Sequence, residues 1–162
     1  MIRPTEPRDT PPLLDIARGT GVFRDPEIVA LREVLDDYHG GNRDAGHLCV
    51  SFEHEGRVAG LAYYAPAAMT DRAWYLYWII VDKPLHGLGI GGSLLRHAEH
   101  AILTLGGRLL LIETSSLPIY EPTRRFYLHH GYAEAGSIPD YYKDGDSLII
   151  FSKRFFSLDA GS

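Results

Sequence analysis

Residues 74–95 decide the fold: Trp-Tyr-Leu-Tyr-Trp-Ile-Ile-Val-Asp-Lys-Pro-Leu-His-Gly-Leu-Gly-Ile-Gly-Gly-Ser-Leu-Leu. The run Trp74–Val81 is aromatic and β-branched, which is typical of a strand buried on both faces. Four of the residues from 87 to 92 are glycines, and we expect a helix from Ser93 onward. The free N–H groups and positive dipole end of a helix start favour a phosphate or pyrophosphate ligand.

The composition predicts one domain over residues 1–156, with a frayed tail at 157–162. The net charge of −5 argues against nucleic-acid binding. The longest apolar run, Ala73–Val81, is too short to span a bilayer, and residues 1–8 lack the apolar core of a secretory signal. The single cysteine, Cys49, excludes an internal disulfide and a zinc site built on several thiolates, and we expect a cytoplasmic protein. The eight histidines show no metal-ligand spacing, so no metal is expected.

Hydrophobic periodicity predicts helices and strands on both sides of this stretch. Helices are expected after the caps Thr10 and Asp25, from Ser93 to an end at Gly106-Gly107, and over Thr123–His130. Strands are expected at 2–6, 47–52 with Leu48, Val50 and Phe52 on one face, 57–65, 74–81, 108–114, 132–142 and 147–155. The order strand, helix, strand around the glycines implies one parallel pair. The prediction is an α/β domain of the α+β type, with a mixed, mostly antiparallel central sheet flanked by helices.

Two general phosphate-binding motifs fit the glycine turn poorly. A Walker A loop needs a Lys-Ser/Thr pair after its glycines, and none follows here. A Rossmann turn matches the pattern Gly87-x-Gly89-x-x-Gly92, with Glu113 at the end of the next strand. However, residues 82–86 separate the strand from the first glycine, several elements precede the motif, and the remaining chain is too short for a second nucleotide-binding half.

A third hypothesis rests on two motifs together. Ile79-Ile-Val-Asp-Lys-Pro leads to His86-Gly-Leu-Gly-Ile-Gly-Gly-Ser, and Thr123-Arg-Arg-Phe-Tyr-Leu-His-His-Gly-Tyr132 follows downstream. The pair resembles the GNAT superfamily of N-acetyltransferases, in which Gln/Arg-x-x-Gly-x-Gly/Ala precedes a helix carrying Phe-Tyr-x-x-x-Gly-Phe/Tyr. The resemblance covers essentially the whole chain and is weakest before residue 45. It implies a GNAT-like sheet whose parallel pair is splayed.

The resemblance also implies acetyl-CoA as the acetyl donor. The pantetheine arm would insert into the splay and pair with the strand backbone of Ile79, Ile80 and Val81. The pyrophosphate would meet the glycine turn, namely Gly87, Leu88, Gly89, Ile90, Gly91, Gly92 and Ser93. His86 stands where the family has Gln or Arg, and a neutral His can donate one hydrogen bond. Tyr120 stands at a common asparagine position, and Arg124 is a further candidate for a CoA phosphate.

For catalysis, Tyr127 matches the family tyrosine that protonates the departing thiolate. Because a phenol is a weaker acid than a thiol, it could act mainly as a hydrogen-bond donor. Glu113, at the end of a buried strand, is the first candidate base, with Glu33 or a relayed water as alternatives. A structural alternative is that Glu113 caps residues 114–116. Asp82 is expected to cap the turn.

The expected acceptor is a primary amine of a small molecule or a peptide. The family's acceptor region contains aromatic side chains that would suit a cationic amine: Phe23, Tyr38, Tyr63, Tyr64, Tyr141 and Tyr142. Core packing would explain most of them equally well. The alternatives are an acetyl-CoA-binding regulatory domain without catalysis and, less favoured, a dinucleotide-binding module. An edge strand near the C-terminus could form a homodimer.

Overall fold

The computed structural model describes residues 1–156, and the predicted frayed tail lies outside them. The strands are β1 Ile2–Pro4, β2 Leu48–His54, β3 Arg57–Pro66, β4 Ala73–Val81, β5 Leu109–Ser115, β6 Ala133–Lys143 and β7 Asp146–Arg154. The helices are α1 Thr10–Gly19, α2 Asp25–Asp37, α3 Ile90–Thr104 and α4 Glu121–His129. The seven strands form one sheet in the order β1-β2-β3-β4-β5-β7-β6. The pair β4–β5 is parallel, whereas β1–β2, β2–β3, β5–β7 and β6–β7 are antiparallel, so the predicted fold class is confirmed.

The chain forms two compact units, and β4 and α3 continue from one into the other. The first unit comprises Met1–Pro66 and Tyr77–His100, and the second comprises Ala67–Leu76 and the described residues from Ala101 onward. A single domain over residues 1–156 stays a prediction. None of the helices between residues 1 and 156 is long and apolar enough to cross a membrane.

In the first unit, the apolar stripes of α1 and α2 pack on the strands. Leu13, Leu31 and Leu61 are fully buried in this core. The predicted caps Thr10 and Asp25 are the first helical residues instead, and Asp9 and Arg24 occupy the N-cap positions. Such shifts of one residue are common at helix ends.

Strand β2 carries Leu48, Val50 and Phe52 on one face, as predicted, and its opposite face is buried as well. Cys49 is 1% exposed and Ser51 is 0% exposed, so the face opposite Val50 is buried as well. The β2 backbone pairs with β1 on one side and β3 on the other, which makes it an interior strand. An interior strand covered on both faces need not show strict alternation.

Strand β4 departs from the prediction in its second half. Trp74 and Leu76 are buried as expected, but Tyr77 is 53% exposed. The parallel register with β5 runs from Ala73 to Leu76, so the change in exposure coincides with the end of this pairing. Helix α3 ends at Thr104, and Leu105, the next residue, is 60% exposed.

In the second unit, β7 is paired along both edges, and β6 lies at the edge of the sheet. The register of β6 slips between Ile138 and Lys143, so Pro139–Tyr142 bulge from the strand. Asp140 adopts a φ of 55°, which is unusual for a residue other than glycine. The bulge and Pro139 interrupt the edge that the homodimer prediction invoked.

Candidate functional site

The turn after β4 owes its shape to two glycines in left-handed conformations. Gly87 has a φ of 86° and Gly89 has a φ of 82°. Residues with a Cβ rarely adopt such positive φ values. A Cβ added at either position would meet no atom within 4 Å, so the space in front of the turn is open. Helix α3 begins at Ile90, not at Ser93 as predicted. The turn and the start of the helix therefore overlap.

This overlap determines which N–H groups are free. The Ser93 N–H donates to the Gly89 carbonyl at 3.0 Å, so it is not free as the sequence suggested. Within residues 1–156, the structure shows no acceptor for the N–H groups of residues 87–92. Together with the dipole of α3, they can hold an anion. Ser93 retains its hydroxyl as a candidate ligand.

His86 is connected to β4 and not to the turn that follows it. Its Nε2 donates to the Val81 carbonyl, with 2.7 Å between the two atoms. A neutral ring has one N–H, which this bond uses, so Nδ1 is then only an acceptor. With Nε2 bonded to Val81, a neutral ring has no further N–H for a pyrophosphate, and the contact of His86 with a donor stays a prediction. Only the protonated ring has a second N–H to donate.

The end of β4 lies close to β3. A Cβ on Gly60 would stand 2.7 Å from the Ile80 carbonyl oxygen, so only glycine permits this approach. The Asp82 N–H donates to the Ala59 carbonyl at 2.8 Å. Asp82 caps the following turn through its carbonyl, which accepts from the Leu85 N–H, and not through its side chain. The contacts of Ile79–Val81 with a donor stay a prediction.

In the second unit, Tyr127 on α4 packs among aromatic rings. It is 4% exposed, and its ring lies 5.8 Å from Phe151 and 6.0 Å from Tyr132 between centroids. Burial raises the pKa of Tyr127 well above its ordinary value. The phenol therefore stays protonated and can donate a hydrogen bond.

The Tyr127 hydroxyl is not sealed in this core. In the described part of the chain, His39 Nε2 is the only fully enclosed side-chain N or O atom that lacks a hydrogen-bond partner. The structure shows no hydrogen bond from the Tyr127 hydroxyl within residues 1–156 either. The hydroxyl oxygen is therefore not fully enclosed, although the residue as a whole is only 4% exposed.

Glu113 is exposed, so the argument from a buried carboxylate was wrong. The structure shows no hydrogen bond between Glu113 and another residue of the described chain. Capping of the following loop is done by other side chains: Ser115 Oγ accepts from the Leu117 N–H at 3.0 Å. Burial raises the pKa of Tyr142 to about 12, and the charge of Glu113 contributes to the increase. The two side chains therefore interact electrostatically.

Arg124 is already engaged. Its Nη1 donates to the carbonyls of Ser115 at 2.7 Å and Leu117 at 2.9 Å, so it holds the loop between β5 and α4. Tyr120 ends the short helical turn Pro118–Tyr120 and is the N-cap of α4, which begins at Glu121 and not at Thr123. Pro122 in the first turn explains the earlier start, because proline suits that position. Contacts of Tyr120 and Arg124 with a donor stay predictions.

Core packing accounts for three of the six aromatic candidates for the acceptor region. Tyr38, Tyr63 and Tyr64 are 3%, 2% and 1% exposed. The Tyr63 hydroxyl is hydrogen-bonded to His47 Nδ1 at 2.6 Å, and burial raises the pKa of Tyr63 to about 12. Phe23 is half-buried and packs on Trp78, with 5.6 Å between ring centroids. The remaining two, Tyr141 and Tyr142, lie on the β6 bulge and are 56% and 42% exposed.

Glu33, the alternative base, lies on the exposed face of α2. Among residues 1–156, no group of three or more His, Cys, Asp or Glu side chains could hold a metal ion.

Sequence reasoning missed the polar contacts between the β5–α4 loop and the start of β7. The available signals were the serines at positions 115, 116 and 147 and the Asp-Gly-Asp sequence at residues 144–146. They do not specify which donor bonds to which acceptor.

Comparisons with known proteins agree on the class of protein to which the chain belongs. The model of the acetyltransferase (GNAT) family matches residues 14–132. A crystal structure from Desulfovibrio desulfuricans, described as a GNAT-family acetyltransferase, is 31% identical with a TM-score of 0.91, covering 95% of this chain and 98% of that one. An uncharacterized N-acetyltransferase from Methanocaldococcus jannaschii is 30% identical over 103 residues, which is 63% of each protein. The chain thus matches less than two thirds of that relative's length.

A more distant structure shows the fold alone. It is an aminoglycoside 6′-N-acetyltransferase complexed with coenzyme A, 18% identical, with a TM-score of 0.76 and coverage of 95% and 96%. The family match and the closer relatives establish more than the fold. The chain belongs to the GNAT family of acetyltransferases, as its motifs predicted, and this is a family of enzymes.

Proposed function

We propose that this protein transfers an acetyl group from acetyl-CoA to the primary amine of a small molecule or a peptide. The observation that carries the proposal is the turn at residues 87–92, with its open front and free N–H groups at the start of α3. The pyrophosphate of CoA is an anion of the kind that such a helix start stabilises. The matched family supplies the reaction class.

The residues of the first unit fit donor binding. The N–H groups of residues 87–92 would hold the pyrophosphate, with the Ser93 hydroxyl as an additional donor. The backbone of Ile79–Val81 would pair with the pantetheine amides, as in the sequence prediction. His86 would contribute a second N–H and a positive charge only when its ring is protonated, because Nε2 is bonded to Val81.

The proposed reaction is a direct acetyl transfer. The amine nitrogen attacks the thioester carbon, the new C–N bond forms, and the C–S bond breaks with its electron pair leaving on sulfur. Tyr127 donates its hydroxyl hydrogen bond toward that sulfur and stabilises the developing charge. An acceptor that arrives as an ammonium ion first loses one proton to a base and attacks as the neutral amine. The second proton, which the nitrogen loses after the C–N bond has formed, goes to the departing thiolate or to solvent, so charge is balanced at the end of the step.

Glu113 is the side chain best supported as this base. It is an exposed carboxylate without a hydrogen bond to a described residue, so its oxygens are free to accept a proton directly or through water. Tyr142, which interacts electrostatically with Glu113, and the adjacent Tyr141 have exposed rings that suit a cationic amine. This combination supports an acceptor that arrives as an ammonium ion.

Acetyl-CoA binding is tested by thermal or denaturant unfolding. At a ligand concentration about one hundred times the dissociation constant, acetyl-CoA should raise the free energy of unfolding by about 2.7 kcal/mol. NAD⁺ at the same concentration should leave it unchanged. Stabilisation by NAD⁺ and not by acetyl-CoA would support a dinucleotide-binding module and contradict the proposal.

The variant His86→Arg sharpens the same measurement. Arginine offers several N–H donors and a permanent charge, as at the family position, whereas neutral His86 offers none to the ligand. A charge-assisted hydrogen bond contributes about 1.5–3 kcal/mol, so at pH 8 we expect CoA to bind the variant at least about tenfold more tightly. Equal affinities of the two proteins at pH 8 would show that residue 86 does not contact the pyrophosphate.

Two further hypotheses accompany the proposal. A cytoplasmic location and a homodimer stay predictions from the sequence. Sedimentation of the purified protein would establish its oligomeric state directly.

A further inference from the structure

The second unit contains a buried carboxylate that the proposed reaction does not use. Asp146, the first residue of β7, is 7% exposed and is the only buried charged side chain in the described part of this unit. Within residues 1–156 the structure shows no ion pair to it. Burying an unpaired charge costs free energy unless its hydrogen bonds compensate. The partners of Asp146 are therefore informative.

The partner of Asp146 is Ser115, at the end of β5. Ser115 Oγ donates to Asp146 Oδ1 and accepts from the Leu117 N–H at 3.0 Å. Because the Ser115 hydroxyl donates its hydrogen bond to the Asp146 carboxylate, the lone pairs of Ser115 Oγ are directed to the Leu117 N–H. Asp146 thereby determines the orientation of a hydroxyl that shapes the loop after β5.

The same loop is bound from the side of α4. Arg124 Nη1 donates to the carbonyls of Ser115 and Leu117, at 2.7 Å and 2.9 Å. Two further hydrogen bonds join the loop to β7. The Ser147 N–H donates to Ser116 Oγ at 2.8 Å, and the Ser116 N–H donates to the Ser147 carbonyl at 2.9 Å. The start of β7, the loop and the first turn of α4 thus form one hydrogen-bonded cluster, which we call the β7–α4 clamp.

The clamp lies next to the proposed hydrogen-bond donor in sequence and in structure. Tyr127 follows Arg124 by one helical turn, and its ring packs on Phe151 of the same strand β7. Both the direction of α4 and the packing of the Tyr127 ring therefore depend on β7. A small rotation of α4 would move the hydroxyl at the far end of this side chain, and catalysis is sensitive to such displacements.

We infer that Asp146 is a positioning residue that acts through Ser115 and the loop on α4, and so directs the Tyr127 hydroxyl. The inference rests on the proposed function for its consequence in catalysis, but the clamp itself is independent of it. Neither Asp146 nor Ser115 is assigned a contact with donor or acceptor.

The variants Ser115→Ala and Asp146→Ala test the inference. Loss of a buried hydrogen-bonded partner should lower kcat about tenfold. The KM for acetyl-CoA should stay within about twofold, because the residues proposed to bind the pyrophosphate belong to the first unit. Asp146→Asn keeps an oxygen acceptor for the Ser115 hydroxyl and should restore most of kcat. Ser152→Ala, a serine on the same strand outside the clamp, serves as the matched control and should behave like the wild type.

A double variant separates positioning from general destabilisation. In a Tyr127→Phe background, Ser115→Ala should lower kcat no further, because the hydroxyl that it directs is already absent. A tenfold loss in both backgrounds would show that Ser115 acts by another route and would overturn the inference. Unchanged kcat in the folded Ser115→Ala variant would overturn it as well.

Amide hydrogen exchange gives a readout that does not need activity. Exchange of the Glu121–His129 amides should become about tenfold faster in Ser115→Ala while the α3 amides keep their rates. Unchanged exchange in α4 would contradict the inference even if the wild type transfers acetyl groups. A wild type that acetylates no amine would refute the proposed function, and the exchange measurement would then decide the clamp alone.

Discussion

Replacing Tyr127 with phenylalanine is expected to lower kcat about one hundredfold with little change in stability. This decrease in kcat lies at the lower end of the rate effects that acid–base groups contribute. Burial raises the pKa of Tyr127, which favours hydrogen bonding over full proton transfer. Phenylalanine fills the same space against Phe151, so the core is kept. Steady-state release of the CoA thiol with a genuine acceptor measures the effect.

The pH dependence and a neighbouring tyrosine provide controls. Since the pKa of Tyr127 lies above its ordinary value of 10.0, kcat should show no decrease from its ionisation as the pH rises to that value. Tyr132→Phe removes the hydroxyl of another buried ring, 6.0 Å from Tyr127, and should leave kcat within about twofold. If Tyr127→Phe turned over as fast as the wild type, Tyr127 would have no part in the reaction.

Replacing Asp9 with asparagine is expected to lower the free energy of unfolding by about 3 kcal/mol at pH 7. Asp9 is 2% exposed and accepts two hydrogen bonds from Arg3, at 2.7 Å and 2.9 Å, and one from the Glu6 N–H at 2.8 Å. Asparagine keeps the shape but removes the charge, so the Arg3 guanidinium loses its buried counter-ion and keeps only the more exposed Glu53. Urea unfolding of both proteins measures the difference.

The loss should depend on pH in a defined direction. Burial alone would raise the pKa of Asp9, but the hydrogen bonds from Arg3 and Glu6 outweigh it and hold the pKa below its ordinary value. The wild type therefore gains this stability above about pH 4, the value for an unfolded chain, and loses it as the pH falls through the lower folded value. The two proteins should converge in acid.

Glu53→Gln is the matched control, because Glu53 accepts one hydrogen bond from Arg3 Nε at 2.9 Å and is more exposed. It should cost no more than about 1 kcal/mol. Equal urea midpoints for Asp9→Asn and the wild type would mean that the Arg3–Asp9 pair does not stabilise the fold.

The elements of this fold could be predicted from local patterns, whereas its polar contacts could not. The strand at 74–81, the glycine turn and the helix after it follow from side-chain periodicity and backbone freedom, which are properties of neighbouring residues. The Ser115–Asp146 bond joins residues 31 positions apart and needs the register of β5 and β7. No spacing rule predicts such a pair.

The exposure of individual side chains was also predicted wrongly from the sequence. Glu113 was placed on a buried strand but faces solvent, and Tyr77 is half-exposed within an apolar run. Burial depends on what covers each face of a strand, which local composition does not determine. His86 shows the same limit for hydrogen bonding: its residue type allows a donor to the pyrophosphate, but its position directs that donor to Val81.

Transfer of a labelled acetyl group to an amine tests the proposed reaction directly. The protein is mixed with acetyl-CoA carrying an isotopically labelled acetyl group and with a panel of primary amines and peptides, and the products are analysed by mass spectrometry. We expect at least one amine to gain the labelled acetyl group in step with release of free CoA thiol, and about one hundredfold more slowly with Tyr127→Phe. Acetyl-CoA binding without transfer to any amine would contradict it and favour a regulatory acetyl-CoA-binding domain.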